Sequence, residues 1–150
     1  MTMKYVLIAL SMLMISFTAH ADEGMKTLAS KHGFQDTQTR LESALKEKGL
    51  TIFAKIDHAE GAEKAGLKMQ PATVTIFGSP KGGTPFMVAA PESAIDFPLK
   101  ALVWENSAGK VFVSYNTLTW VVARHHIKGE DALATKLDGL QAAIAKAATE

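Results

Sequence analysis

The 150-residue sequence contains no cysteine. That absence removes disulfides, thiolate metal sites, iron–sulfur clusters, covalent c-type haem attachment and thiol redox chemistry. Charge of one sign is also missing: 16 Lys plus Arg face 15 Asp plus Glu, with no basic run or stripe. Binding to nucleic acid rests on clustered Lys and Arg and is therefore not expected; nor is adsorption to a membrane surface. There is no P-loop, no nucleophile elbow and no defensible Ser–His–Asp order. What the sequence does have is apolar side chain, 47% of residues. That fraction places it among globular domains rather than disordered segments.

The most continuous apolar run lies at the start. Lys4 precedes Tyr5 to Phe17, a run broken only by Ser11 and Ser16, and Ala19-His20-Ala21 has the small-x-small cleavage pattern. These are the parts of a secretory signal peptide. As a membrane anchor the run falls short of the ~20 residues a span needs. Residues 1–21 are thus expected to be cut off after Ala21, leaving a periplasmic or secreted protein that starts at Asp22. The cut removes Lys4 and four of seven methionines, so 15 basic side chains meet 15 acidic ones and no Met-rich copper carrier remains. Residues 22–150 suffice for one domain burying about two-thirds of its unfolded surface.

Hydrophobic periodicity then orders the chain. Met25 to Ser30 reads as a strand. Phe34, Leu41, Ala44 and Leu45 fall at helical spacing, and Gly49 ends that helix in the usual C-terminal position. Leu50 to Asp57 alternates as a strand, with Ile52, Ala54 and Ile56 on the face expected to meet the core. Glu60 to Ala65 forms one or two helical turns closed by Gly66. Ala72 to Phe77 is a third strand. Gly78 to Pro85 carries four Gly or Pro residues beyond Gly78 itself and reads as a turn-rich loop. Phe86 to Ala90 reads as a short helix. Pro98–Glu105 and Lys110–Tyr115 are strands joined by a hairpin turn at Asn106-Ser107-Ala108-Gly109. A helix capped by Asn116 or Thr117 runs to about His125. A last helix, about 131–148, carries Leu133, Leu137, Leu140 and Ile144 as one stripe. This order gives an α+β fold: a mainly antiparallel sheet with helices packed on one face.

Five linked segments also carry a family resemblance. They are Ile56-Asp57-His58 with Ala62 and Gly66-Leu67; Ile76 to Pro85; Asp96 to Trp104; Val113-Ser114-Tyr115-Asn116; and Arg124-His125. Together, over about residues 28–127, they resemble the family called domain of unknown function 302. The resemblance implies a TATA-binding-protein-like domain in β-α-β(4)-α order, with the helix after residue 130 as an addition. It implies no activity, and likeness of fold to a DNA binder does not imply DNA binding.

The candidate site follows from two histidines. By alternation His58 continues the expected core face of Ile52 and Ile56, and His125 lies on the Leu118, Val121 and Val122 side of its helix. A shared pocket would hold both, with Asp57 and Arg124 orienting them and Lys81, Gly82 and Gly83 forming a rim whose backbone amides approach an anion. Imidazoles suit a Zn, Cu or Ni ion or haem iron, and they also suit proton transfer. The competing expectation is that each is a core histidine bonded to backbone. His32 and His126 are expected at the surface, and Trp104 and Trp120 in the core. Three functions remain open at this point. One is an exported module binding a small ligand, metal or tetrapyrrole. The second is a hydrolase or isomerase using a His acid or base. The third is a structural protein, with open sheet edges suited to a homodimer.

Overall fold

The computed structural model describes residues 24–150; the segment expected to be a signal peptide lies outside the described residues. Five strands form one antiparallel sheet: β1 (Met25–Ala29), β2 (Thr51–Asp57), β3 (Ala72–Gly78), β4 (Leu99–Glu105) and β5 (Val111–Asn116). Their spatial order is β1-β5-β4-β3-β2. The helices are α1 (Phe34–Glu47), α2 (His58–Lys64), α3 (Pro80–Ala89), α4 (Leu118–Arg124) and α5 (Asp131–Thr149), with a 3-10 turn at Pro91–Asp96. The architecture is the expected α+β one.

Alternation on the sheet decides where the core sits. Thr75 on β3, Ala101 and Val103 on β4, and Val113 and Tyr115 on β5 face one side, where Leu41, Ala44 and Leu45 of α1 and Ile144, Ala145 and Ala148 of α5 cover them. A second cluster joins α3, α4 and α5: Phe86, Ala90, Leu118, Val121, Val122, Ile127 and Ala134. On the opposite sheet face Trp104 stacks on Phe112 with ring centroids 4.7 Å apart and donates from Nε1 to Ser114 Oγ at 3.0 Å. Trp104 is therefore half-buried on the face opposite the core rather than a core residue.

Three further expectations need correction here. The stretch read as a loop is the first half of α3. Pro80 sits at the start of the helix, where its missing N–H is no loss. Phe86, fully buried, stacks on Phe97 at 5.7 Å, and this burial overrides the poor propensity of Gly82, Gly83 and Pro85. Second, β2 contains a bulge: Ile52 pairs with Phe77 and Ala54 with Ile76, so Phe53 is one residue extra. An extra residue exchanges the faces of all that follows. Lys55 turns to the helices, where its Nζ donates to Glu42 Oε1 at 2.9 Å, and Ile56 is left 45% exposed. Third, His32 is half-buried, its Nδ1 lying 3.3 Å from Asp36.

Candidate functional site

The bulge decides the fate of His58. Its side chain is exposed at the first position of α2, while Asp57 caps that helix by accepting from the Glu60 amide at 3.0 Å. Asp57 pairs with Thr73, at one end of the sheet. His125 belongs to the other end. It follows α4, and its Nε2–H donates to Asp96 Oδ2 at 2.5 Å, just ahead of the Leu99–Phe77 pair that opens β4. The length of a seven-residue strand, roughly 20 Å, separates the two ends. The structure therefore does not bring His58 and His125 together, and the shared pocket and two-histidine metal site are corrected on that ground. Among the described residues no three His, Cys, Asp or Glu side chains group as a metal site.

Arg124 also departs from its expected place. Its Nη1 lies 3.2 Å from Asp96 Oδ1 and its guanidinium sits 5.2 Å over the Trp120 ring. The amides of Gly82 and Gly83 both donate to Ser79 O, at 3.0 and 3.1 Å, so the expected anion nest has spent those donors on the α3 turn.

Lys81, Gly82 and Gly83 do meet at a cavity, but a different one. It lies where the two core clusters fail to close on each other, and its volume is about 480 Å3. Phe77, Phe97, Leu99, Leu133, Leu137 and Leu140 supply apolar walls, and the first turns of α3 supply another. A Cβ on Gly82 would touch Leu137 at 3.7 Å, so the missing side chain there leaves space unfilled between α3 and α5, two walls of one void. Along α5 the lining residues Leu133, Lys136, Leu137, Leu140 and Gln141 form a single stripe at helical spacing.

The polar groups of this cavity are few and ordered by depth. Lys81 and Lys136 are exposed at its mouth. Neither is within ion-pair range of a carboxylate among the described residues, and no acidic side chain lines the cavity. Gln141 is 4% exposed. Its Nε2 donates to Asn116 O at 3.2 Å, which fixes the amide orientation, and its Oε1 has no hydrogen-bond partner among the described residues. Next to it, burial and then the Asp138 charge push the Tyr115 phenol above its ordinary value, against a smaller pull from Lys26.

Lys136, Gln141 and the cavity walls were missed by the sequence reading. A signal existed: Gln141 interrupts an otherwise apolar helix stripe.

Comparison with known proteins bears on identity. The family model described as "Domain of unknown function DUF302" matches residues 26–148. The chain belongs to the DUF302 family. A crystal structure of an uncharacterized conserved DUF302 protein from Bacillus stearothermophilus superposes with a TM-score of 0.76 at 18% identity, covering 84% of this chain and 98% of that one. This likeness carries the fold alone. Proteins called fluoride-specific ion channel FluC 1 in Brucella suis and in Brucella abortus are each 36% identical over 106 residues, 71% of this chain. The chain spans only about two-fifths of those relatives, 42% and 39% of their lengths. Among the described residues of this DUF302 chain, no helix is long and apolar enough to cross a membrane.

Proposed function

We propose that this DUF302 protein is an exported binding module that holds a small, largely apolar molecule between α3 and α5. The cavity carries the reading. Its volume falls within the range of about 300–1,000 Å3 of small-molecule sites, and it is apolar with a few convergent polar groups. Export rests on the charge, apolar run and Ala-His-Ala pattern of residues 1–21. Among the described residues no imidazole lines the cavity, so the ligand chemistry we propose is apolar contact rather than His ligation or His acid–base transfer.

The test uses a neutral apolar dye, N-phenyl-1-naphthylamine, and the Gly82→Leu variant. Leucine at 82 starts from an ordinary contact with Leu137, fits a helical position better than glycine, and takes up part of the void. Saturable dye fluorescence in the native chain, weakened in a folded Gly82→Leu protein, is the expected result. Absence of saturable uptake, or uptake unchanged by Gly82→Leu, overturns the reading. Export is checked by the mass of the chain recovered from the periplasm, expected to begin at Asp22.

A further inference from the structure

We infer that the occupant of the α3–α5 cavity is an anionic amphiphile, an apolar chain or ring ending in a carboxylate or similar acid. This deepens the binding proposal and rests on it. The argument is one of charge placement. Lys81 enters from the start of α3 and Lys136 from α5, both at the mouth, while the interior presents apolar side chains and the Gln141 amide. An exposed lysine normally has acidic neighbours somewhere near in a chain whose acids and bases are nearly equal in number. Here the two rim lysines come from different elements, and among the described residues no carboxylate lines the same cavity. The first turn of α3 adds the same sign, since it too lacks an acidic residue and its N-terminal end carries partial positive charge. A neutral ligand would use the walls and leave this field idle; a cation would meet it as repulsion. An anion with an apolar body uses both, its head between the lysine ammonium groups and its body replacing the void.

Depth supports the same polarity. Lys136 and Gln141 are five residues apart on α5, about 7.5 Å along the axis, with Leu137 and Leu140 between them on the cavity stripe. The exposed Lys136 marks the entrance, and the buried Gln141 amide lies more than one helical turn from it, past Leu137 and Leu140.

Isothermal titration calorimetry with three probes of one chain length decides the matter: dodecanoate, dodecanol and dodecylammonium. Dodecanoate is expected to bind at least several-fold more tightly than dodecanol, and dodecylammonium most weakly. The double variant Lys81→Gln/Lys136→Gln is expected to weaken dodecanoate about tenfold, a few-fold for each exposed charge, and to leave dodecanol unchanged. Added salt should narrow the difference between the two, because exposed charges are screened. Dodecanol binding as tightly as dodecanoate, or a double variant with unaltered preference, overturns the anionic inference while leaving the cavity a binding site. Failure of all three probes to bind overturns both. Gln in place of Lys sits at exposed positions, so loss of folding does not confuse the result; thermal unfolding of the variant confirms it.

Discussion

His125 and Asp96 are bound to each other across the foot of the sheet. The imidazole Nε2–H donates to Asp96 Oδ2 while Arg124 approaches Oδ1 of the same carboxylate at 3.2 Å. The His125 and Asp96 side chains are 9% and 16% exposed. The arrangement staples the end of α4 to the last residue of the 3-10 turn, and so fixes the segment from which Phe97 enters the cavity wall. This makes the histidine a structural fastener, with the charge of a carboxylate as its counterpart.

Asp96→Ala should accordingly destabilise the protein by about 1–2 kcal/mol, because it leaves a nearly buried imidazole N–H without its acceptor. Arg124→Ala should cost less, about 0.5 kcal/mol, since its side chain is half exposed and such pairs are weak. Urea titration of the three proteins gives the order. Equal stability of Asp96→Ala and the native chain would remove the fastener role.

Much of the fold was legible in the sequence, and the misses share one cause. All five strands showed period-two alternation or turn boundaries, and Gly49 and Gly109 stand at positive φ, 70° and 76°, where turns were expected. What local pattern could not show was tertiary override. Gly and Pro between residues 80 and 85 argued for a loop, yet Phe86 and its partner Phe97 hold that stretch as helix. The site suffered from a single inserted residue. Counting alternation from Ile52 to His58 assumes an unbroken strand; the bulge at Phe53 reverses it, and His58 passes from the expected core to solvent. Lys81, Gly82 and Gly83 were found because their sequence was unusual. Their partners on α5 escaped because Lys136 looks like any solvated lysine until α3 is folded against it.

Asp138 supplies a second testable relationship. It lies on α5 but caps α4: its Oδ1 accepts from the Leu118 amide at 2.5 Å, and its Oδ2 accepts from the Thr119 amide at 3.1 Å and the Thr119 hydroxyl at 2.7 Å. Thr117, the residue that precedes the helix, satisfies only the Trp120 amide, at 3.3 Å. Helix starts leave several N–H groups without intrahelical partners, and here two different elements share the task. Asp138→Ala should cost about 1–2 kcal/mol, and Asp138→Asn less because an acceptor remains. Thr117→Ala should also destabilise. The double variant should depart from additivity, because both residues cap one helix turn. Thermal unfolding of the set would show this; strict additivity would mean that the two caps act independently.

Tyr115 gives an alkaline counterpart. Burial first, and then the Asp138 charge, raise the phenol above its ordinary 10.0. A raised folded value means that the unfolded chain releases its proton first, so the contribution is fully present below pH 10 and is lost as pH climbs from there through the folded value. Tyr115→Phe should flatten that part of the stability profile. A profile above pH 10 that is identical in the two proteins would show that Tyr115 titrates alike in both states.

At the acid end the decisive group is Glu42, on the α1 face that meets β2. Burial alone would raise its carboxyl above the ordinary value. Hydrogen bonds from Gln38 and Lys55, with the charges of Lys55 and Lys46, outweigh burial and lower it below 4.5. The geometry is tight: Gln38 Nε2 donates to Glu42 Oε1 at 3.0 Å and Lys55 Nζ to the same oxygen at 2.9 Å. A lowered folded value stabilises the native state above the unfolded value, and the stabilisation disappears as pH falls from about 4.5 through the folded one. The bulge in β2 is what turns Lys55 toward this carboxylate, so the acid dependence reports on the strand irregularity as well as on the pair. Glu42→Gln should remove this component of acid destabilisation, and Lys55→Met should reduce it by leaving Gln38 as the remaining donor. Urea midpoints measured from pH 6 to pH 3 test both. If Glu42→Gln and the native chain lose stability in parallel over that range, the carboxylate is not held in its charged form by the fold, and the place given to Lys55 on the helix side of β2 falls with it.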